Sequence, residues 1–581
     1  MASTTAMFTG LSGMNANSRH IDVIGNNIAN VNTTAYKSSR LLFSTMFSRT
    51  MSMGSQPSDA TGGTNPFQIG YGVQTAGTQR NMTGGSVSAT GDARDMAIDG
   101  SGFFVVNRGG SQFYTRAGAF RQNQANELVD IGGNKLQGFG VDANFNIVPG
   151  VLRDVSVPIG SLTLAQATRN VRFSGNLNSD GTLPSMGSQI TLGGLRTIAT
   201  AAPAPTPPNL LESTTRLVDI EDPAASGSNT PIFTAGQRFE IRGAEKGGRQ
   251  IPTASFEVTA TTTVQDIQNF LNQALGIDVT VGPNPDGGIP GVTLDPLTGQ
   301  LSIVGNTGSA NDIAVDGTDL RITDAAGAVV GTPFTTSKLK ASDGESVRTT
   351  FIAYDSLGSP VEIDITMVLD SKSTSGTTWR YYVESADDSD IALQVATGTI
   401  AFDTDGQPMG GVPISITVDR AGSGSATPLS LDIAFTGNGT GGVTSLSSTT
   451  SNLAATSRDG APIGTLSGYA VGGDGTITGV FTNGLTRTIG QIALATFANP
   501  EGLVDAGNSL FMTGSNSGAA VITAPGTFGA GGVVGGALEL SNVDLGEEFI
   551  KLILSSTGYS ASSRVIRTAD DLMQQLLSLG R

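Results

Sequence analysis

Large apolar residues recur every seven positions at Met7, Met14, Ile21 and Ile28, with Leu11, Ile24 and Val31 beside them. The same interval returns at the far end of the 581 residues, at Leu545, Leu552, Tyr559, Ile566 and Met573, with Phe549 and Leu577 on the intervening positions. Spacing of this kind predicts two long helices, each presenting one apolar stripe. Asp544 and Glu547 offer a capping box where the second helix begins. Each stripe is narrow, and Ser556, Ser563 and Asp570 interrupt the seam of the last helix. A pair built from the two ends alone should therefore be marginal in water. Either the two helices form a hairpin docked on the chain's own globular core, or they need neighbours.

Between the ends the pattern changes to period two. Val361, Ile363, Ile365, Met367 and Leu369 alternate with Glu362, Asp364 and Thr366, which predicts a half-buried antiparallel strand. Shorter strands are expected over 102–106, 238–242, 255–259 and 491–497. One interior segment, Val264 to Leu275, has helical spacing at Val264, Ile267, Leu271 and Ala274 after the caps Thr262 and Thr263. Eight Asp-Gly pairs, from Asp99 to Asp474, signal tight hairpin turns, and 79 Gly and 24 Pro fit a turn-rich chain. Ser, Gly, Thr and Pro over 51–65 and the Pro-rich stretch 201–208 read as linkers, and 524–536 as a Gly-rich connector. At roughly 150 residues per domain the length suggests about four domains.

The composition leaves little room for catalysis. Cys is absent and His20 is the single histidine, so cysteine metal sites, disulfides, thiol nucleophiles and His-based triads lack their residues. His20, beside Arg19 and Asp22, reads as a solvated or interfacial side chain. A net charge of −17 argues against nucleic-acid or anionic-membrane binding. The run Phe402-Asp-Thr-Asp-Gly406 starts like a calcium loop but has Val412 where the loop needs Glu, and a hairpin turn is the simpler reading. The run 471–476 echoes a calcium nonapeptide once, where such sites come in tandem. No stretch approaches the ~18 apolar residues of a transmembrane helix. Residues 1–8 carry neither a basic nor a long apolar region, so no secretory signal is read there, which alone favours the cytoplasm.

The most specific signal is the cluster Asn26, Asn27, Asn30 and Asn32 at the end of the first helix. Asn is a mediocre helix former, and four in seven residues lower stability unless their amides are used. Amides that both donate and accept, with no charge, suit a packed interface.

These residues carry a resemblance. Leu11-Ser-Gly-Met-Asn-Ala-Asn17, Ile24-Gly-Asn-Asn-Ile-Ala-Asn-Val-Asn-Thr33, Lys37, Asp95-Met-Ala-Ile-Asp-Gly-Ser-Gly-Phe-Phe104, Tyr114-Thr-Arg-Ala-Gly118 and Leu136-Gln-Gly-Phe139 resemble the bacterial flagellar hook proteins, within the wider group of flagellar axial proteins. Tyr354-Asp-Ser-Leu-Gly358, the run Ala493 to Leu503 and Ser541-Asn-Val-Asp-Leu545 extend it. The family's Thr-Gly-Phe-Lys is here Thr34-Ala-Tyr-Lys37, the Gln/Arg-rich stretch before its Tyr is Ser555-Ser-Thr-Gly558, and 190–340 has no counterpart.

The resemblance implies a mainly β chain with α-helical termini and nested discontinuous domains. It implies an axial core from 1–69 plus 540–581 in which the terminal helices form a coiled-coil inner layer, a first β-domain from 70–145 plus 455–539, a second from 146–190 plus 341–454, and one or more inserted outer domains over 191–340. It implies a structural, non-enzymatic subunit without cofactors, polymerising with itself into a curved tube that transmits torque. The implied partners are rod proteins, hook–filament junction proteins, the hook cap and the type III export apparatus; export by that route would place the chain outside the cell without a cleaved signal. The residues expected at the assembly interface are those of the two heptad stripes and the Asn cluster. A distal-rod subunit is the alternative; a β-rich adhesin or polysaccharide enzyme fits the helical ends poorly.

Overall fold

The computed structural model describes residues 2–59, 61–198, 211–222, 229–410, 413–436 and 442–579, so the Pro-rich stretch read as a linker lies outside the described residues. Among them are three α-helices, α1 (Ala2–Ala29), α2 (Val264–Ala274) and α3 (Leu545–Leu579). Most of the remaining regular structure is strand, as period-two patterning and turn chemistry predict. The chain divides into two compact units, one of residues 1–163 and 465–581, the other of 164–464.

In the first unit, strands from the two ends of the chain interleave. Phe103–Arg108 pairs antiparallel with Ser111–Thr115, Lys135–Val141 and Leu494–Thr496; Lys135–Val141 in turn pairs with Thr486–Ile492. The strand expected over 491–497 is thus two. The chain leaves the Lys135–Val141 edge after Ile492 and joins Phe103–Arg108 at Leu494, because one straight strand cannot ladder with both. Edge-to-face aromatics fill the space between, with Phe497 4.8 Å from Tyr114 and 5.8 Å from Phe103 between ring centres.

The segment following α1 is a two-part hairpin. Strand β1 (Ser39–Thr45) pairs antiparallel with β4 (Val73–Arg80), and β2 (Ser48–Ser52) with β3 (Phe67–Gly70). The backbones of Ser55 and Thr64 exchange hydrogen bonds of 2.9 and 3.1 Å, so the stretch read as a linker over 51–65 continues this arm. Both faces of β2 and β3 are exposed, which removes the alternation a reader of the sequence would look for.

The second unit holds the strand predicted from Val361 to Leu369, within Pro360–Ser373 of an antiparallel five-stranded sheet. Thr366 and Val368 are buried as well as the predicted face, since Arg348 and Gly308 cover the second side. On the first side Trp379 is fully buried and donates from Nε1 to Ser445 Oγ at 3.1 Å. Helix α2 starts from a capping box of Thr263 and Asp266, and lays Val264, Ile267, Phe270 and Leu271 on a separate core with Phe239 and Phe334. At the calcium-like run, Asp403 accepts from the amides of Asp405 and Gln407 at 3.0 and 2.8 Å, and Gly406 turns at φ +73°, making a hairpin. Asp474 likewise accepts from the amide and hydroxyl of Thr476.

Between that inserted core and the five-stranded sheet lies a buried ion triad. Lys246 Nζ is 2.5 Å from Glu384 Oε1 and also donates to the Gly276 carbonyl, while Arg348 lies 3.4 Å from Glu384 Oε2 and donates to the carbonyls of Lys246 and Ala310. Glu384→Leu leaves the buried Lys246 and the half-buried Arg348 without their anion, and is expected to destabilise the second unit by about 3–5 kcal/mol. A lowered urea midpoint of the Trp379 fluorescence transition is the measurement that checks it.

Candidate assembly interface

Helices α1 and α3 run antiparallel in close contact, and small or polar residues make their seam. A Cβ on Gly10 would lie 2.8 Å from Ile566 Cγ1 and 3.1 Å from the Ser562 carbonyl, and one on Gly13 would lie 2.8 Å from Ser562 Oγ. From the other helix, a Cβ on Gly558 would sit 3.0 Å from the Asn17 amide. Further along, Ser555 Oγ meets His20 Nδ1 at 2.7 Å, and Asn27 Nδ2 donates to Glu548 Oε2 at 3.1 Å. Glu548, Ser555 and Ala569, each at most 4% exposed, share a seven-residue interval with Ser562.

The seam of α3 therefore lies one residue before the interrupted one inferred from the sequence, at Ser555 and Ser562 instead of Ser556 and Ser563. The sequence carried a signal for it, small residues at the same interval as the apolar stripe, but a search weighted to large side chains passes over it. The expected capping box at α3 is half present. Asp544 accepts from the amides of Gly546 and Glu547 at 2.8 and 3.1 Å, while the Glu547 carboxylate lies 3.0 Å from Lys551.

The residues expected at an assembly interface fall into three groups. Ile24 and Asn27 are buried within the chain. Met7, Met14, Ile21, Ile28, Asn30, Val31, Leu552, Ile566 and Met573 are half-buried. Leu11, Asn26, Asn32, Leu545, Phe549, Tyr559 and Leu577 are exposed. The other flank of α1 is covered by the hairpin arm: Val73 N donates to Ser12 Oγ, Arg19 to Thr75 Oγ1, and the His20 ring stands edge-on to Phe43 at 5.3 Å. Apart from the buried Ile24 and from Ile566, which meets Gly10, the apolar stripes thus border the seam instead of forming it. At its far end, Met7, Phe8 and Leu11 of α1 and Ile566 of α3 line an apolar groove of about 350 Å³.

The Asn cluster closes the other end of α1. Asn27 Nδ2 also donates to the Ser39 carbonyl at 2.8 Å, and its Oδ1 accepts from the Ser39 amide at 3.0 Å and the Tyr36 hydroxyl at 3.2 Å. Asn26 donates to the Tyr36 hydroxyl, and Asn30 donates back to Asn26 and accepts from Thr33. These amides replace the missing helical hydrogen bonds while the chain reverses. The reversal passes through Ala35 at φ +55°, buried and held by a 2.9 Å bond from its amide to the Glu539 carbonyl. Ala35 holds this left-handed turn without the freedom a Gly would have, at a cost of roughly 1 kcal/mol.

Two residues later Lys37 meets Glu539 at 2.5 Å, with Arg116 3.7 Å from the other carboxylate oxygen, and all three side chains are almost fully buried. Gly85 N and the Thr83 carbonyl complete the cluster at 2.8 and 2.7 Å, to Glu539 and Lys37 respectively. Burial pushes Lys37 and Arg116 below their ordinary pKa values, and the attraction of Glu539 opposes it. Sequence reasoning singled out Lys37 and the run 541–545, but Glu539 and Arg116 emerge only from the fold. Asn542 of that run accepts from the Ser38 amide at 2.8 Å and donates to the Asn81 carbonyl at 3.0 Å.

Comparison with known proteins gives four family matches: flagella basal body rod protein over residues 7–37, the flagellar hook protein FlgE/F/G D1 domain over 97–183, the flagellar basal body protein FlaE D2 domain over 322–461, and the flagellar basal body rod FlgEFG protein C-terminal region over 534–579. The chain is 28% identical to the flagellar hook protein FlgE of Treponema pallidum and 27% identical to that of Borreliella burgdorferi, in both cases over 99% of each chain. Among solved structures it is similar to Helicobacter pylori flagellar hook protein FlgE2, with 16% identity and a TM-score of 0.35, over 77% of this chain and 98% of the other.

Gly10→Leu raises intrinsic helix propensity by about 1 kcal/mol yet cannot fit the seam, so α1 and α3 should separate. Loss of amide protection over both helices, with the β-units intact, is the expected hydrogen-exchange result. His20 supplies a pH dependence. Burial lowers its pKa, with Glu548 opposing and Lys551 reinforcing, so the fold favours the neutral ring. The contribution of His20 to helix docking is then full above the ordinary value of 6.5 and is lost as pH falls through the lower folded value. Protection of the α1 amides should drop on acidification, and His20→Gln should remove that response.

Proposed function

The chain belongs to the flagellar hook protein family, and we propose that as a structural subunit of the hook it polymerises into a curved, flexible tube that transmits torque from rod to filament. The observation that carries the mechanism is the helix pair. Its two chain ends meet through a seam of small and polar residues, leaving most of the heptad stripes half-buried or exposed and Asn26 and Asn32 exposed. Copies packing flank to flank would complete the cores that a lone pair lacks. The apolar stripes give each contact its strength, and the uncharged amides let neighbours shift without stranding a buried charge.

On this reading the segments 1–69 and 540–581 form the axial core, 70–145 with 455–539 and 146–190 with 341–454 form two β-domains, and 191–340 is an inserted outer domain. Sliding of outer surfaces past one another accommodates bending while the inner helices keep the polymer continuous. The subunit leaves the cell unfolded through the flagellar export apparatus, folds beneath the hook cap, and meets rod and junction proteins at the two ends of the tube. Torque transmission of this kind requires no cofactor and no catalytic residue. A distal-rod role fits less well, since hook relatives match end to end.

A strain whose only copy lacks Met1 to Thr34 should be non-motile and show no hooks by electron microscopy, while the full chain restores curved hooks. Hooks of normal curvature from the truncated chain would overturn the role of the helix pair.

A further inference from the structure

The last turn of α2 and the turn after it line a cavity of about 360 Å³ in the second unit, together with Gln394, where strand Gln394–Phe402 of the five-stranded sheet begins. Two residues of its wall carry an oxygen with nothing to accept from. Asp278 is 4% exposed; its Oδ1 accepts from the Thr280 amide and hydroxyl at 2.9 and 2.6 Å, while its Oδ2 has no donor among the described residues. Gln394 Oε1 is buried and likewise without one. Asp278 is held in place, since its amide donates to Asn306 Oδ1 and its carbonyl accepts from Asn306 Nδ2, each at 2.9 Å. A buried acceptor left unmet is costly, and a carboxylate oxygen most of all. No Lys, Arg or His lines the cavity. Lys246 reaches the Gly276 carbonyl in its wall but is committed to Glu384. The end of α2 adds the negative pole of the helix dipole. Among the described residues no group of three or more acidic or histidine side chains stands ready for a metal ion.

We infer that this cavity binds a primary alkylammonium group, which donates to Asp278 Oδ2 and Gln394 Oε1. An ammonium carries one positive charge and three N–H donors, so a single group meets both acceptors and neutralises the carboxylate. Ile277 and Val279 offer apolar surface for its alkyl stem. Two sources supply this chemistry, a free amine and a lysine of a second copy. Among the described residues every lysine except Lys372 stands in an ion pair. Lys372 is exposed and lies opposite Thr377, whereas Gln394 lies opposite Glu384 at the other end of the same strand. The seven residues between Thr377 and Glu384 span about 23 Å at 3.3 Å each, so Lys372 cannot enter the cavity of its own chain. Its entry into the cavity of a second copy rests on the hook-subunit reading; binding of a free amine does not.

Calorimetric titration of the full-length monomer with 1,4-diaminobutane tests the site, and saturable binding of one amine per chain is expected. Binding should weaken by about tenfold in Asp278→Asn and strengthen by about as much in Gln394→Glu, since each changes the charge that faces the ammonium. Asn at 278 still accepts from Thr280, and an unchanged urea midpoint of Trp379 fluorescence shows that each variant is folded. Tetramethylammonium, which has the charge and no N–H donor, should bind far more weakly. No saturable binding to the unaltered chain, undiminished binding to folded Asp278→Asn, or tetramethylammonium binding as tightly as the diamine would each overturn the inference. Assembled tubes separate the two sources. If unaltered tubes bind no diamine and Lys372→Met tubes do, the ammonium comes from a second copy; if unaltered tubes bind it as the monomer does, the site takes a free amine. If the full chain forms no tubes, the hook-subunit reading fails, while the monomer titration still decides the site.

Discussion

Lys37 and Glu539 stand 502 residues apart in sequence and 2.5 Å apart in space, both buried. Taking two charges out of water is costly, and their attraction offsets that only where the geometry is tight and the remaining donors and acceptors are met. Here the Thr83 carbonyl accepts from Lys37, the Gly85 amide donates to Glu539 Oε1, and Arg116 faces Glu539 Oε2 at 3.7 Å as a charge partner only. The consequence is positional. Lys37, just past the turn that follows α1, and Glu539, a short way before α3 starts at Leu545, are fixed at one point, so the two helices leave it together, antiparallel and in one register. The Asn cluster and the left-handed turn at Ala35 finish the same junction with neutral hydrogen bonds.

That register decides which residues form the seam. Gly10, Gly13, Gly558 and Ser562 permit a close approach that Met or Leu would block. Close approach buries little apolar area, and the large side chains are displaced to the flank. A helix pair made this way holds its geometry without much stability of its own, since helical stability in proteins comes mainly from packing of an apolar face. A subunit that gains its helical core on joining a polymer needs such a balance. The second unit answers a similar problem with the same residue types: Lys246, Glu384 and Arg348 join the inserted core to the five-stranded sheet.

Much of this was legible in the sequence, and the misses have physical causes. The heptads placed both terminal helices, and the alternation from Val361 to Leu369 placed the central strand, because a long periodic signal survives single exceptions. Capping by Thr263 fixed the start of α2. The hairpin arm over 51–65 was missed, since a strand exposed on both faces has no alternation to read. The seam was displaced by one residue, because periodicity reports which face is apolar and not which neighbour covers it. Glu539 and Arg116 gave no local signal at all; a buried ion pair between distant residues exists only once the fold brings them together.

The central claim is that the apolar stripes are completed by other copies and not by this chain. Hydrogen exchange of the α1 and α3 amides in the full-length monomer and in assembled tubes tests it most directly. The account predicts weak protection of both helices in the monomer, beside well-protected β-sheets, and a large gain in α1 and α3 on assembly. Protection of the two helices in the monomer equal to that in the tube would contradict it.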